Sequence, residues 1–551
     1  MTEKISKRLP YGIIIIVASL LFIPFLGKVH LFDWDEINFA ESAREMIVTG
    51  DYNTVRIDFE PFWEKPPLFI LMQVVSMKIF GINEFAARFP NAVCGILTLL
   101  FLFHIGKRLY DERFGLIWTL AYAGSVLPFF YFKSGIIDPW FNLFIFAGIY
   151  YSIRFLAESE NAENRKKANL YIIHSATAIG LGILTKGPVA LLIWGLTAFV
   201  YAVYRKFRVP VRWYHIAGFS GVLLIVGGSW FMGQIIAGNI QIVMDFFAYQ
   251  VRLFQIQDAG HGGFPLYHFV ILLFGVFPAS IFSLAAHKKT NVEDSTAQKD
   301  FKIWMFILLW SVLILFSIVK TKIVHYSSLC YFPITFLGAY ALYNYCYRNI
   351  PLKKRVHVSM IVIAALYAVI IAVLTNIFRV TDYIIDNRLF DDPFALANLQ
   401  ADAGWTGFET LIAIVPLLII VLASYFFRNR KPYQYLVSVF AGFCLFTFLT
   451  MGVIAGRIEA YSQRAAIEFF KSVKDEECYV VTIGYKSYAH YFYAETKHSV
   501  NKAREYLQNG EVANIPIYVS TKITRKERVM NEFPQLEVIY EKNGFVFFKL
   551  K

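Results

Sequence analysis

Charge is scarce in this chain. Asp, Glu, Lys and Arg make up 17% of its 551 residues against 57% hydrophobic residues, and mean hydropathy is +0.50. A soluble globule needs about a quarter of its residues charged to cover its surface, so that class is excluded and a polytopic helical membrane protein is implied. Cysteine is also scarce. Of the five, Cys94, Cys330, Cys346 and Cys444 fall in or at the ends of apolar runs and Cys478 stands alone in a polar tail, which excludes a disulfide framework and a cysteine-based metal knuckle. The surplus of basic residues, a formal net charge of +13, does not indicate nucleic acid, because Lys and Arg sit in short clusters between apolar runs, the pattern that sets membrane topology.

What is abundant is apolar run. Lys4, Lys7 and Arg8 precede a first run at 11–27, and no small-x-small cleavage site follows, so it reads as an uncleaved anchor. Further runs lie near 86–106, 114–132, 138–156, 170–184, 188–204, 214–236, 266–286, 302–319, 326–346, 355–378, 409–427 and 434–455. The expected architecture is a helical bundle of about thirteen spans over residues 1–455, then a small external α/β domain over 456–551. The run Leu68–Phe80 is expected at the membrane interface, since Lys78 and its length argue against spanning. Alternate loops carry the basic clusters, including Lys107-Arg108, Arg165-Lys166-Lys167, Arg205-Lys206, Lys353-Lys354-Arg355 and Arg428. This places them and the N-terminus in the cytoplasm, and the C-terminal tail outside.

The exceptions to that rule are informative. Lys65, Lys133, Lys186, Arg252, Lys320 and Lys322 fall on the expected outer side. Each alone can snorkel to headgroups; as a set they point to an anionic ligand, and a lipid phosphate suits a membrane of this extent. The loop 28–85 carries Asp33-Trp34-Asp35-Glu36, then a helical pattern with Ala40, Ala43 and Ile47 that stops at Gly50, expected to lie flat on the membrane. Asp33 and Glu36 have capping-box spacing. Asp35 reads equally as a first-turn acid and as a catalytic carboxylate. Trp63-Glu64-Lys65-Pro66-Pro67 fixes an extended backbone after a Glu-Lys pair.

Elsewhere on that side, Asp138 starts a span, where a carboxylate needs a partner, water or a ligand. It can equally cap its helix. Lys186 tips a short hairpin, Lys320 to Tyr326 forms a tight turn with Tyr326 at headgroup level, and His261 sits among glycines in the segment Asp245–Leu266. His261 with Glu64 allows a divalent cation, though scattered ligands make a weak pattern. In the tail, Tyr479–Gly484, Ile515–Val519 and Leu536–Tyr540 read as strands and Asn543-Gly544 as a hairpin turn. No chemical motif stands there.

The acidic pair, Ala40-Glu41-Ser42-Ala43-Arg44-Glu45-Met46, Gly50-Asp51-Tyr52, Glu64-Lys65-Pro66-Pro67, Asp138, Lys186-Gly187-Pro188, the His261 loop and Lys322-x-x-x-Tyr326 together resemble the polyprenyl-phosphate-dependent glycosyltransferases of the GT-C fold. The likeness is to the lipid A aminoarabinose transferase group (ArnT-like), with protein O-mannosyltransferases more distant, and it covers about residues 10–340. It implies an inverting transfer, outside the cytoplasm, from an undecaprenyl-phosphate-type sugar donor. Lipid A is the leading acceptor by that analogy, and another envelope glycan or a secreted protein is the alternative. It further implies Asp35, or else Asp138, as the base or orienting carboxylate. Lys65, Lys186, Arg252, Lys322 and Tyr326 are implied on the donor phosphate, and Glu64 with His261 on a divalent metal such as zinc. The reading includes membrane-lipid contact in a bacterial inner membrane, a monomer, and no nucleic-acid partner.

Two departures from the family pattern stand out. Asn38-Phe39 replaces a common Arg-Tyr, and Gln250 stands where Asn or His is frequent; both bear on sugar and acceptor identity more than on reaction type. A secondary transporter or flippase, the rival class, needs repeated halves and mid-bilayer charges, and the sequence shows neither.

Overall fold

The computed structural model describes residues 2–255, 262–286, 293–509 and 513–550. Among them, seven helices are long and apolar enough to cross a membrane: Glu84–Leu109, Asp138–Ser159, Arg165–Lys186, Thr296–Ile318, Lys354–Thr375, Phe408–Arg428 and Pro432–Glu459. The count is nine if two bent pairs each form one span, Trp213–Gly227 with Ser229–Ile236 (53°) and Tyr267–Gly275 with Ala279–Ala285 (106°). The chain is a multi-pass membrane protein. The remaining runs of the expected thirteen are short or interrupted. The run 114–132 divides into Glu112–Ala123 and Val126–Tyr131 beside Gly124, which lies against the Phe440 backbone with no room for a β-carbon.

Helix ends follow their sequence signals. Asn83 and Asp111 accept the N–H groups of Ala86 and Phe114, and Ser295 forms a capping box with Gln298. Close helix approach relies on small residues, as expected where lipid supplies no hydrophobic drive between helices. Gly106 faces Gly115, and Gly180 faces Gly227. Aromatic rings fill the rest of the interior; Phe146 stacks on Phe332 at 4.2 Å, and the Trp118 indole donates to Thr335 Oγ1 at 3.1 Å.

From Arg464 onward the chain forms an α/β unit. Its four strands are ordered Tyr479–Thr482, Ile517–Lys522, Phe545–Leu550, Leu536–Lys542; the first pair is parallel and the others antiparallel. Asn543 and Gly544 turn the hairpin with φ of 46° and 79°. Helix Arg464–Ser472 covers the sheet, stacking Phe469 on Phe547 at 4.2 Å.

The segment after the first helix departs from expectation. Helix Asp35–Thr49 stops at Gly50, whose φ is 72°, but it is not the surface helix expected. Glu36 through Met46 are buried on every face, because the helix packs between Leu68–Phe80 and the α/β helix Ala489–Ala494. Helix Leu68–Phe80 does keep an exposed apolar strip, Val75, Ile79 and Phe80. The expected capping box is absent. Asp33 instead accepts the Tyr488 backbone N–H at 3.2 Å, while Glu36 accepts the Phe32 N–H at 2.9 Å and pairs with Arg88 at 2.7 Å.

Candidate active site

The first loop, helix ends and the α/β unit enclose a cavity of about 720 Å³. Asp33 to Glu36, Glu64, Lys65, Asp138, Lys186, Tyr249, Gln250, Arg252, His325, Tyr326, Lys486 and Tyr488 are among the residues lining it. Residues up to 455 positions apart in sequence thus share one concave, largely apolar chamber, the usual setting of a ligand site.

Its charges are arranged in two groups. Asp138 accepts the Lys186 ammonium at 2.6 Å, and His325 Nε2 stands 3.6 Å from Asp35 Oδ2 and 3.9 Å from Asp138 Oδ2. One imidazole therefore bridges both expected carboxylates. Their exposures differ: the Asp138 side chain is 3% accessible and that of Asp35 42%, so Asp138 is bound in an ion pair and Asp35 opens to the chamber. The second group centres on Tyr249, whose hydroxyl donates to Glu64 Oε2 at 3.2 Å and whose ring lies 5.3 Å from Lys65 Nζ and 5.1 Å from the Arg252 guanidinium. Tyr326 stands with the first group, Lys186 Nζ lying 5.3 Å from its ring. Burial pulls the Lys65 ammonium below its ordinary value, and the charges of Glu64 and Asp35 oppose that pull.

Of the expected residues, Asp35, Glu64, Lys65, Asp138, Lys186, Arg252 and Tyr326 come together here. Lys322 does not. Its ammonium donates to the Phe316, Ser317 and Val319 carbonyls at 2.6–2.9 Å, capping the end of Thr296–Ile318, where backbone acceptors lack helical partners. Lys133 is likewise spent on the Phe22 and Pro24 carbonyls. His261 lies outside the described residues. Among the described residues no group of three or more His, Cys, Asp or Glu is gathered for a metal ion, and the Glu64 carboxylate accepts the Tyr249 hydroxyl.

Several cavity residues escaped the sequence reading, among them Tyr249, Tyr488, His325 and Lys486. His325 stood within the quoted turn, beside Tyr326, with no signal that it would meet Asp35 across almost 300 residues. Lys486 comes from the tail to which no chemistry was assigned; its Nζ lies 4.5 Å from the Trp34 ring and 5.4 Å from that of Tyr488. Beside it, burial raises the Asp33 carboxyl above the usual range despite donors from Ser487 and Tyr488.

Comparison with known proteins bears on this geometry. Residues 64–230 match the family model described as dolichyl-phosphate-mannose-protein mannosyltransferase. The chain is 26% identical, over 58% of its length and 56% of the relative's, to the undecaprenyl phosphate-alpha-4-amino-4-deoxy-L-arabinose arabinosyl transferase of Photorhabdus laumondii. It is 26% identical to the Pseudomonas aeruginosa (strain UCBPP-PA14) protein of the same name, over 61% and 60% of the two lengths. These matches span less than two thirds of the curated relatives. In three dimensions the chain superposes on ArnT from Cupriavidus metallidurans bound to undecaprenyl phosphate with TM-score 0.75 and 17% identity, covering 98% of each chain.

The chain has the ArnT-like GT-C fold. A more distant structural likeness is to the archaeal oligosaccharyltransferase AglB from Archaeoglobus fulgidus, at TM-score 0.51 and 10% identity over 99% of this chain and 74% of that one. The ArnT superposition takes in both the helical bundle and the α/β unit, the two parts that wall the cavity.

Proposed function

We propose that this ArnT-like protein is an inverting glycosyltransferase. In this reading it moves a sugar from an undecaprenyl-phosphate-type donor to a cell-envelope acceptor, foremost lipid A, at the outer face of a bacterial inner membrane. The observation that carries the reading is the joint cavity in which Asp35 and the cations Lys65, Lys186 and Arg252 meet. The names of the curated relatives support the donor class. About thirteen crossings, some short or broken, put the N-terminus in the cytoplasm and residues 456–551 outside, in a monomer whose catalytic domain is residues 1–455.

The chemistry follows from the charges. Breaking the glycosyl bond turns a phosphodiester with about one negative charge into a monoester approaching two. Cations fixed beside the leaving phosphate therefore stabilise the transition state more than the ground state. Lys65 and Arg252, gathered on Tyr249, and Lys186 with Tyr326 hold that position. Asp35 accepts the proton of the attacking hydroxyl. Asp138 is held by Lys186 at 2.6 Å, which suits it to positioning, and His325 between the two carboxylates keeps Asp35 aimed. Glu64 and His261 form the candidate metal pair; total metal content of the purified protein and of the Glu64→Ala variant tests it without reference to activity.

The deciding experiment incubates purified protein with radiolabelled undecaprenyl-phosphate sugar and envelope extract. Asp35→Asn is expected to lose about 10²–10⁴-fold in transfer while still binding donor. Transfer at the normal rate would remove Asp35 from the mechanism. A second reading, a protein O-glycosyltransferase, is favoured by the family-model match over residues 64–230; label appearing in protein rather than lipid A would select it.

A further inference from the structure

A second cavity, of about 550 Å³, lies at the other end of the bundle. Helix Tyr331–Tyr347 connects the two. Tyr326 and Leu329, just before its start, line the candidate active site, and Tyr340 and Asn344, near its end, line the second cavity. Its 17 residues rise about 25 Å, so the two chambers stand at opposite ends of one helix. On the topology proposed above, this end faces the cytoplasmic leaflet.

The second cavity combines an apolar wall with cations. Ile281, Leu352 and Val356 are buried around it, while Lys353 and Arg355 are exposed at its rim. Among the described residues neither side chain has an ion-pair or hydrogen-bond partner. The Asp294 carboxylate, close by, does not neutralise them, because it accepts Arg348 Nη1 at 2.6 Å and the Tyr340 hydroxyl at 2.7 Å. Asn344 is 2% exposed; its Oδ1 accepts from the same arginine at 3.3 Å, and its Nδ2 has no acceptor among the described residues. Helix Lys354–Thr375 begins here with no side chain capping its first amides, so its dipole adds to the positive field. Two cations, a buried amide donor and a helix start suit a phosphate.

The same helix indicates what carries that phosphate. Arg355, Ser359, Val362 and Leu366 recur at the i, i+4, i+7, i+11 spacing of one helix face. Arg355 and Ser359 line the cavity. Val362 is 61% exposed, and the face continues through Leu366, Val369 and Val373, all exposed. A polar pocket leading into an exposed apolar stripe on a membrane span matches a phospholipid, with its headgroup in the cavity and an acyl chain along the helix. A soluble anion would use only the pocket.

We propose that this cavity holds the headgroup phosphate of an anionic bilayer phospholipid, which braces the ends of Ala279–Ala285, Tyr331–Tyr347 and Lys354–Thr375 against one another.

The test titrates the purified full-length protein in detergent with phosphatidylglycerol, phosphatidylcholine or inorganic phosphate, and counts bound lipid by native mass spectrometry. One phosphatidylglycerol per chain should be retained in preference to phosphatidylcholine, and millimolar phosphate should not displace it. Lys353→Gln with Arg355→Gln should weaken that binding about ten- to thirtyfold, the loss of two cations at a lipid surface. Lys353→Arg with Arg355→Lys should keep it, and Ser359→Trp should block it by filling the cavity with the charge unchanged. Lys166→Gln with Lys167→Gln removes two exposed cations from another basic loop and should leave binding intact. Bound phosphatidylglycerol should also raise the thermal midpoint of wild type more than that of the Lys353→Gln, Arg355→Gln protein. The proposal is overturned if phosphatidylcholine binds equally well, or if the Lys166 and Lys167 changes weaken binding as much. Displacement by phosphate overturns it too, since the cavity would then serve a soluble anion. None of these readouts involves sugar transfer, so a negative result leaves the transferase reading standing.

Discussion

Asp35 and Asp138 share one imidazole but not one environment, and that difference assigns their roles. Asp138 is buried against Lys186, so Asp138→Asn should leave an unpaired cation and damage donor binding and turnover together, whereas Asp35→Asn should lower kcat with little effect on donor KM. Steady-state kinetics on both variants separates the two patterns. Lys65 gives a pH test. Burial depresses its ammonium below the ordinary value of 10.5, so the cation that binds phosphate is lost as pH rises through that lowered value. Donor KM should climb on the alkaline side at a pH below 10.5, and Lys65→Arg, charged throughout, should move that limb upward. The outer cations were legible from the sequence as a set through topology alone. Which of them reach the ligand was not, because capping is decided by carbonyls that no local pattern reveals: Lys322 and Lys133 satisfy helix ends, while Lys65, Lys186 and Arg252 have their heads in the chamber.

At the scale of elements, the helix Asp35–Thr49 shows what local pattern can and cannot say. Its end at Gly50 and its apolar stripe were visible, and so was the strand and turn pattern around Asn543-Gly544. Its burial on every face was not, since polar residues such as Glu41, Arg44 and Glu45 read as a solvated side. They are inside because they satisfy one another and the tail: Arg44 binds Glu41 at 2.6 Å and the Thr496 carbonyl at 3.1 Å, and Glu45 takes the Phe59 N–H at 2.9 Å. Burial, with Glu41 adjacent, pushes the Glu45 carboxyl up to about 9. A folded value above the unfolded one favours folding below pH 4.5 and loses that contribution as pH rises through about 9. Glu45→Gln, which keeps the acceptor for Phe59 and cannot ionise, should therefore flatten the fall in thermal midpoint between pH 7 and 9. Differential scanning fluorimetry in detergent, comparing the two proteins across that range, reads it directly; parallel curves for both would show that Glu45 carries no proton in the folded state.

At the scale of the whole molecule, the first loop lies between the helical bundle and the α/β unit, and one buried arginine makes many of its contacts with the bundle. Arg88, inside the span Glu84–Leu109, donates to Glu36 through Nε and Nη2 at 3.0 and 2.7 Å and to the Leu26, Val29 and His30 carbonyls at 2.6–2.9 Å. Lysine has neither the planar fork nor the number of donors to reproduce this, so it leaves buried acceptors among these without their donor. Arg88→Lys should lower the thermal midpoint and expose residues 28–66 to protease. It should also reduce transfer at saturating donor and acceptor alike, since Asp35 and Trp34 sit on the segment that is released. Gln463→Ala, by contrast, frees only the side facing the α/β unit, so its effect should fall on acceptor KM and leave the bundle's protease resistance intact. If the two variants instead behave identically in both assays, the loop moves as one rigid piece with the α/β unit, and the cavity is a closed joint rather than a wall assembled from two separable supports.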